Sequence, residues 1–141
     1  MKKPLFALET LFYPEVSTKA NTDYDSSSQE QQTEPVARVF LNKTGSNKYQ
    51  IGVGIILAKE VNSDPYSIEI LGLGVFNIDE SLSEEEQLKL IAKNGPNLVY
   101  GGIREFIATL TGRGPYGEYF LPATIFEPSD FDFSEPEDPV I

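Results

Sequence analysis

Between residues 48 and 61 the chain alternates more strictly than anywhere else. Tyr49, Ile51, Val53, Ile55 and Leu57 fall on one face, and Gln50, Gly52, Gly54, Ile56 and Ala58 fall on the other. A period of two is the mark of a strand with one buried face, because helical geometry scatters alternate residues around its axis. The fold must therefore supply a sheet around this segment and a layer to cover it. Turn chemistry flanks it on both sides: Thr44, Gly45, Ser46 and Asn47 before, Asn62, Ser63, Asp64 and Pro65 after. The segment is thus the middle of a meander, with strands over 36–43 and 66–79. In the last of these Tyr66, Ile68 and Ile70 share a face, then Leu71, Leu73 and Val75 take the other, with Gly72 and Gly74 between them. That switch predicts a bulge or burial on both faces.

An earlier strand is predicted over 5–13, with Leu5, Ala7, Leu11 and Tyr13 on one face, Phe6, Leu8 and Phe12 on the other, and Pro14 ending its pairing. Residues 17–34 are rich in Ser, Gln and Thr and read as a long crossover loop, with Tyr24 as its one large ring. Ser83 and Glu86 have capping-box spacing, and Glu84, Glu85 and Glu86 suit a helix N-terminus. That helix is expected to stop at Asn94-Gly95, and Pro96 to open a second one carrying Val99, Ile103, Phe106, Ile107 and Leu110 at helical spacing. Gly112, Gly114 and Pro115 end it. The prediction is an α+β domain over 1–126, a four-stranded antiparallel sheet with one main helix, followed by an acidic, proline-containing tail over 127–141. One such helix covers only one face, so apolar surface is left over for self-association or binding.

Composition narrows the chemistry. Of 141 residues, 22 are acidic and 11 basic, a net charge of −11 that repels nucleic acid. Cysteine and histidine are both absent, which removes thiolate nucleophiles, the commonest neutral-pH base and the commonest metal ligands. The carboxylates Asp79, Glu80, Glu84, Glu85 and Glu86 lack EF-hand spacing and read as a solvated helix start. No metal, cofactor or catalytic set is expected. No apolar run is long enough for a signal-peptide core or a spanning helix, so a cytoplasmic protein without membrane insertion is the expectation. Gly101 and Gly102 inside a helix weaken it by roughly 1 kcal/mol each. Close helix contact across an interface would account for them. Tyr116, Tyr119, Phe120, Phe126, Phe131 and Phe133 crowd a short proline-broken stretch that either covers the core or walls a peptide groove.

Residues 96–107, Pro-Asn-Leu-Val-Tyr-Gly-Gly-Ile-Arg-Glu-Phe-Ile, resemble the opening of the main helix in SecB, the protein-export chaperone family, through Pro96, Asn97, Val99, Tyr100, Arg104 and Glu105. The likeness continues through Arg113-Gly114 and through Leu121-Pro122-Ala123-Thr124-Ile125-Phe126, similar to the family's Leu-Ala-Pro-x-x-Phe. Upstream, Glu69 to Ile78 is similar to the family's fourth strand, and Leu8 to Ala20 to its first. The resemblance implies a dimer or a dimer of dimers that holds unfolded chains without ATP. It also implies docking of the export ATPase SecA on acidic sheet positions, here Glu15 and Glu69, with Lys19 reversing a third. The family's C-terminal helix and zinc-binding tail have no counterpart, and its Pro-Tyr becomes Gly101-Gly102. These departures favour a specialised copy, one guarding an antitoxin in a toxin–antitoxin–chaperone system or one carried by a phage.

The expected function is an ATP-independent holdase. Its client groove is expected at Phe12, Tyr24, Tyr116, Tyr119, Phe120 and Phe126. Its oligomer interface and helix packing are expected at Val99, Gly101, Gly102, Ile103, Phe106 and Leu110. The alternative is a non-enzymatic interaction protein that uses the same sheet to bind one dedicated partner.

Overall fold

The computed structural model describes residues 5–25, 27, 34–57, 64–123 and 131–132. Its elements run β1 (Phe6–Ala20), β2 (Val36–Gly45), β3 (Lys48–Leu57), β4 (Tyr66–Ile78), α1 (Glu84–Thr111) and β5 (Phe131–Asp132). The strand order is β1-β4-β3-β2-β5: an antiparallel meander β2-β3-β4 with β1 folded back beside β4, and the two-residue β5 parallel to β2. The alternation of β3 is satisfied as expected. Tyr49, Ile51, Val53, Ile55 and Leu57 are all at most 1 % exposed, facing α1 together with Phe76, Ile70 and Ile68 of β4.

The phase switch in β4 resolves as burial on both faces, with an unbroken register against β3. Gly72 and Gly74 fall on the side where α1 lies closest. A Cβ on Gly72 would sit 3.0 Å from the Ile103 side chain, and one on Gly74 would sit 2.8 Å from Val99. The large side chains Leu71, Leu73 and Val75 therefore project to the opposite face.

Two expectations are corrected. Pro14 does not end β1; the strand runs on to Ala20, so the loop expected over 17–34 starts after that residue. The ladder shifts register between Phe12 and Glu15, and this irregularity on a sheet-edge strand accommodates the missing proline N–H. Asn94-Gly95-Pro96 does not separate two helices either: α1 is one helix of 28 residues with Pro96 buried inside it. The side-chain amides of Asn94 and Asn97 donate to the carbonyls of Leu90 and Lys93 around that turn, at 3.0 and 3.1 Å. Gly95 is used for packing, since a Cβ there would lie 2.9 Å from Ile51 of β3. The capping box is present as expected: Ser83 Oγ accepts from the Glu86 N–H, and the Glu86 carboxylate accepts from the Ser83 N–H. Within the tail expected over 127–141, Phe131 and Asp132 add the fifth strand that the sequence pattern did not suggest.

Because Ile103 is fully buried at the closest approach of helix and sheet, Ile103→Ala is expected to destabilise the fold by about 2–5 kcal/mol. A urea titration followed by circular dichroism checks this. An unchanged midpoint would show that α1 does not hold the sheet.

Candidate functional site

Downstream of α1 the chain doubles back along the helix as an extended strap. Tyr119 and Leu121 turn inward, with Tyr119 9 % exposed and Leu121 fully buried, whereas Phe120 between them is 62 % exposed. Hydrogen bonds between α1 side chains and the strap's backbone hold it in place. Tyr100 Oη donates to the Pro122 carbonyl at 2.5 Å, Arg104 Nε donates to the Leu121 carbonyl at 2.9 Å, and the Tyr119 N–H donates to Thr111 Oγ1 at 2.8 Å. Between the strap and the outer side of α1 lies an open groove of about 390 Å³. Gly101, Arg104, Glu105, Ala108 and Thr109 supply its helical side; Glu118 and Phe120 form the opposite wall. Leu98 and Leu110, both on α1, are also exposed, at 45 % and 40 %.

A tyrosine cluster anchors the start of the strap. Tyr66 Oη donates to the Gly117 carbonyl at 2.9 Å and accepts from the Tyr116 N–H at 3.1 Å. Tyr116 Oη donates to the Asn21 carbonyl at 2.8 Å, and the Tyr24 ring meets Tyr116 edge-on at 4.9 Å. Tyr24, Tyr116 and Tyr119 thus gather around Tyr66 at one end of the sheet. Of the six expected groove residues, only Phe120 lines the groove beside α1. Phe126 falls outside the described residues.

Phe12 sits elsewhere, on the helix-free face of the sheet. There the register places Phe12, Leu73, Gly52 and Phe40 in one row across the four long strands. A Cβ on Gly52 would overlap the Phe40 ring, so the ring lies flat over the glycine. Glu15 and Glu69 share this face one diagonal step apart, and Lys19 follows at the next pair toward the strand end.

Among the residues expected to pack the helix, Val99 and Ile103 are fully buried against the sheet and Phe106 meets Tyr13 with tilted rings, centroids 4.5 Å apart. Leu110 is exposed. Gly102 is explained within the protomer: a Cβ there would lie 2.5 Å from Leu11 and 2.9 Å from Tyr13 Oη. The groove residues Arg104, Glu105, Ala108 and Glu118 were not singled out from sequence as a site. Their spacing from Gly101 along one helix face, together with the inward–outward alternation Tyr119-Phe120-Leu121, is the signal that carries them.

Among the described residues no cluster of three or more His, Cys, Asp or Glu is placed to hold a metal ion, and no helix is long and apolar enough to cross a membrane. Two of the shifted phenols meet at the strap, Tyr119 on it and Tyr100 on α1. Burial pushes Tyr119 above its ordinary value, with the Asp64 carboxylate adding to the effect, and burial likewise raises Tyr100.

No protein-family model matches the chain, and no curated protein sequence is similar to it. The fold is shared with a solved structure. The SecB-like chaperone Rv1957 of Mycobacterium tuberculosis, in complex with a ChAD peptide from the Rv1956 HigA1 antitoxin, superposes with a TM-score of 0.64 over 84 % of this chain and 90 % of its own, at 14 % identity. A protein of unknown function from Streptococcus agalactiae is similar at a TM-score of 0.49 and 11 % identity, over 84 % of this chain and 97 % of its own. The α+β fold is therefore that of a SecB-like chaperone, as the sequence resemblance implied.

A folded-state phenol pKa raised above its unfolded value near 10.0 contributes stability that is present below that value and lost as pH rises through the folded one. The protein is accordingly expected to lose stability on alkaline titration beginning near pH 10, and Tyr119→Phe to flatten that loss. Urea midpoints measured across the alkaline range check this; superimposable profiles for wild type and variant would show that Tyr119 carries none of it.

Proposed function

We propose that this protein is an ATP-independent chaperone that holds extended apolar segments of unfolded client chains, with an antitoxin as the favoured class of client. The observation that carries this reading is apolar surface left open beside a rigid frame. Phe120 stands 62 % exposed on a strap whose neighbours are buried and hydrogen-bonded, next to a groove in the helix. An exposed aromatic fixed by its own backbone is costly to leave wet and inexpensive to order on binding. The solved structure of a SecB-like chaperone of this fold in complex with an antitoxin peptide supports the same reading. The net charge of −11 keeps such a surface soluble and favours basic, apolar clients.

We place client contact at Phe120, with Tyr116 and Tyr24 extending it along the strap's anchor and Tyr119 supporting it from beneath. Phe12 offers a second apolar contact on the helix-free face. Phe126 belongs to the same proposed groove by sequence. Assembly into a dimer or dimer of dimers, with Leu110 as the exposed apolar residue among the expected interface positions, would align grooves from several copies. Glu15 and Glu69 are the proposed docking positions if an export ATPase is engaged. The protein is read as non-enzymatic and cytoplasmic.

The test is suppression of aggregation when a denatured, reduced protein is diluted into buffer. Wild type is expected to suppress light scattering at near-equimolar amounts. Phe120→Ser is expected to weaken suppression by about threefold or more with an unchanged circular dichroism spectrum. Glu15→Lys with Glu69→Lys, on the other face, is expected to leave suppression intact. Wild type that suppresses nothing in excess would contradict the reading and favour a single dedicated partner.

A further inference from the structure

We propose that the C-terminal pair Phe131–Asp132 is an edge cap: it occupies the outer edge of β2 and blocks strand addition there by a second copy of this chain. Without β5 the sheet would end in β1 on one side and β2 on the other. β1 carries its own interruptions. Pro14 stands within it, and its ladder to β4 shifts register between Leu8 and Thr10 and again between Phe12 and Glu15. Such breaks spoil an edge as a template for a further strand. β2 lacks them over most of its length: it contains no proline, and from Val36 to Lys43 its register against β3 is unbroken. Val36 is 62 % exposed, and its cross-strand partner Ile56 is 39 % exposed. A regular edge with exposed apolar side chains is the kind that pairs with another chain.

β5 meets that edge near its middle. Val39 pairs with Phe131 and Phe40 with Asp132, the one parallel pairing among the described strands. The contact divides the edge. The longer remainder is Leu41–Gly45, and it contains the register shift between Lys43 and Gly45. Neither remainder offers an uninterrupted ladder to a strand of ordinary length. The sequence around β5 keeps the cap from becoming a template in its turn. Pro128 and Pro136 flank it and have no N–H to give a ladder. Residues 127–141 hold Glu127, Asp130, Asp132, Glu135, Glu137 and Asp138 with no base, and charge and proline together are how natural edges are guarded. This role is separate from client holding, and either can fail without the other.

The experiment uses the full chain as wild type, Asp132→Pro and Asp132→Asn. The proline variant removes a backbone N–H of β5 together with the charge; the asparagine variant removes the charge alone. Amide exchange along β2 is read by NMR, and mass by light scattering over a concentration series. Asp132→Pro is expected to speed exchange at the outward amides around Val39 and Phe40 by about tenfold. Its mass is expected to climb with concentration beyond that of wild type. Asp132→Asn is expected to match wild type in both. Unchanged exchange in Asp132→Pro would show that β5 does not hold the edge, and overturn the cap. Faster exchange at the wild-type mass would show that copies do not pair there, and overturn the block. Growth of Asp132→Asn equal to that of Asp132→Pro would assign the effect to lost charge repulsion, and overturn occupancy of the edge as its cause.

Discussion

The structure depends on how closely α1 lies on β3 and β4. Ile103 and Val99 descend onto Gly72 and Gly74, and Gly95 rises onto Ile51, so side chains of one layer fill the gaps the other leaves by having none. This contact covers the apolar face of the central strands with a single element, Val99 and Ile103 being 0 % exposed. It also fixes the position of Tyr100 and Arg104, which lie along the flank of the helix, Tyr100 within the core, and grip the strap.

From that constraint the rest follows. One helix covers one face, so the row Phe12-Leu73-Gly52-Phe40 on the opposite face has no second layer among the described residues. The strap covers only part of the helix's outer side, and its own geometry alternates between anchoring and presenting. Tyr119 and Leu121 tie it down, and their inward direction forces Phe120 outward. A backbone held by Thr111, Tyr100 and Arg104 presents that ring with little freedom left to lose, which is how a small domain displays apolar surface without collapsing over it.

Much of this was legible in the order of residues. β3 declared itself because one-sided burial leaves a strict period of two, and the helix start was marked by Ser83 and Glu86 because capping is local chemistry. The misreadings share one cause. Asn94-Gly95-Pro96 and Pro14 are punctuation in local terms, yet tertiary contacts reused them: Gly95 for the approach to Ile51, Pro14 for an irregularity in an edge strand. The aromatic stretch was legible as important but divisible either way, because whether a ring covers the core or faces out depends on the register of the strap against α1. Hydrogen bonds from residues far apart in the chain set that register, and Tyr66, Tyr100 and Arg104 carry no local sign of this work. The same holds for Gly101 and Gly102, adjacent and alike in sequence, of which one is filled by β1 and the other opens onto the groove.

The central claim is that the open apolar surface along α1 and the strap is where an unfolded chain is held. Hydroxyl-radical footprinting of the full chain, with and without a reduced, denatured client, reads this side chain by side chain. The account predicts that labelling of Phe120 falls on addition of client, that Leu98 follows it, and that Val36 and Ile56 on the helix-free face stay unchanged. Protection confined to Val36 and Ile56, with Phe120 labelled as before, would contradict it.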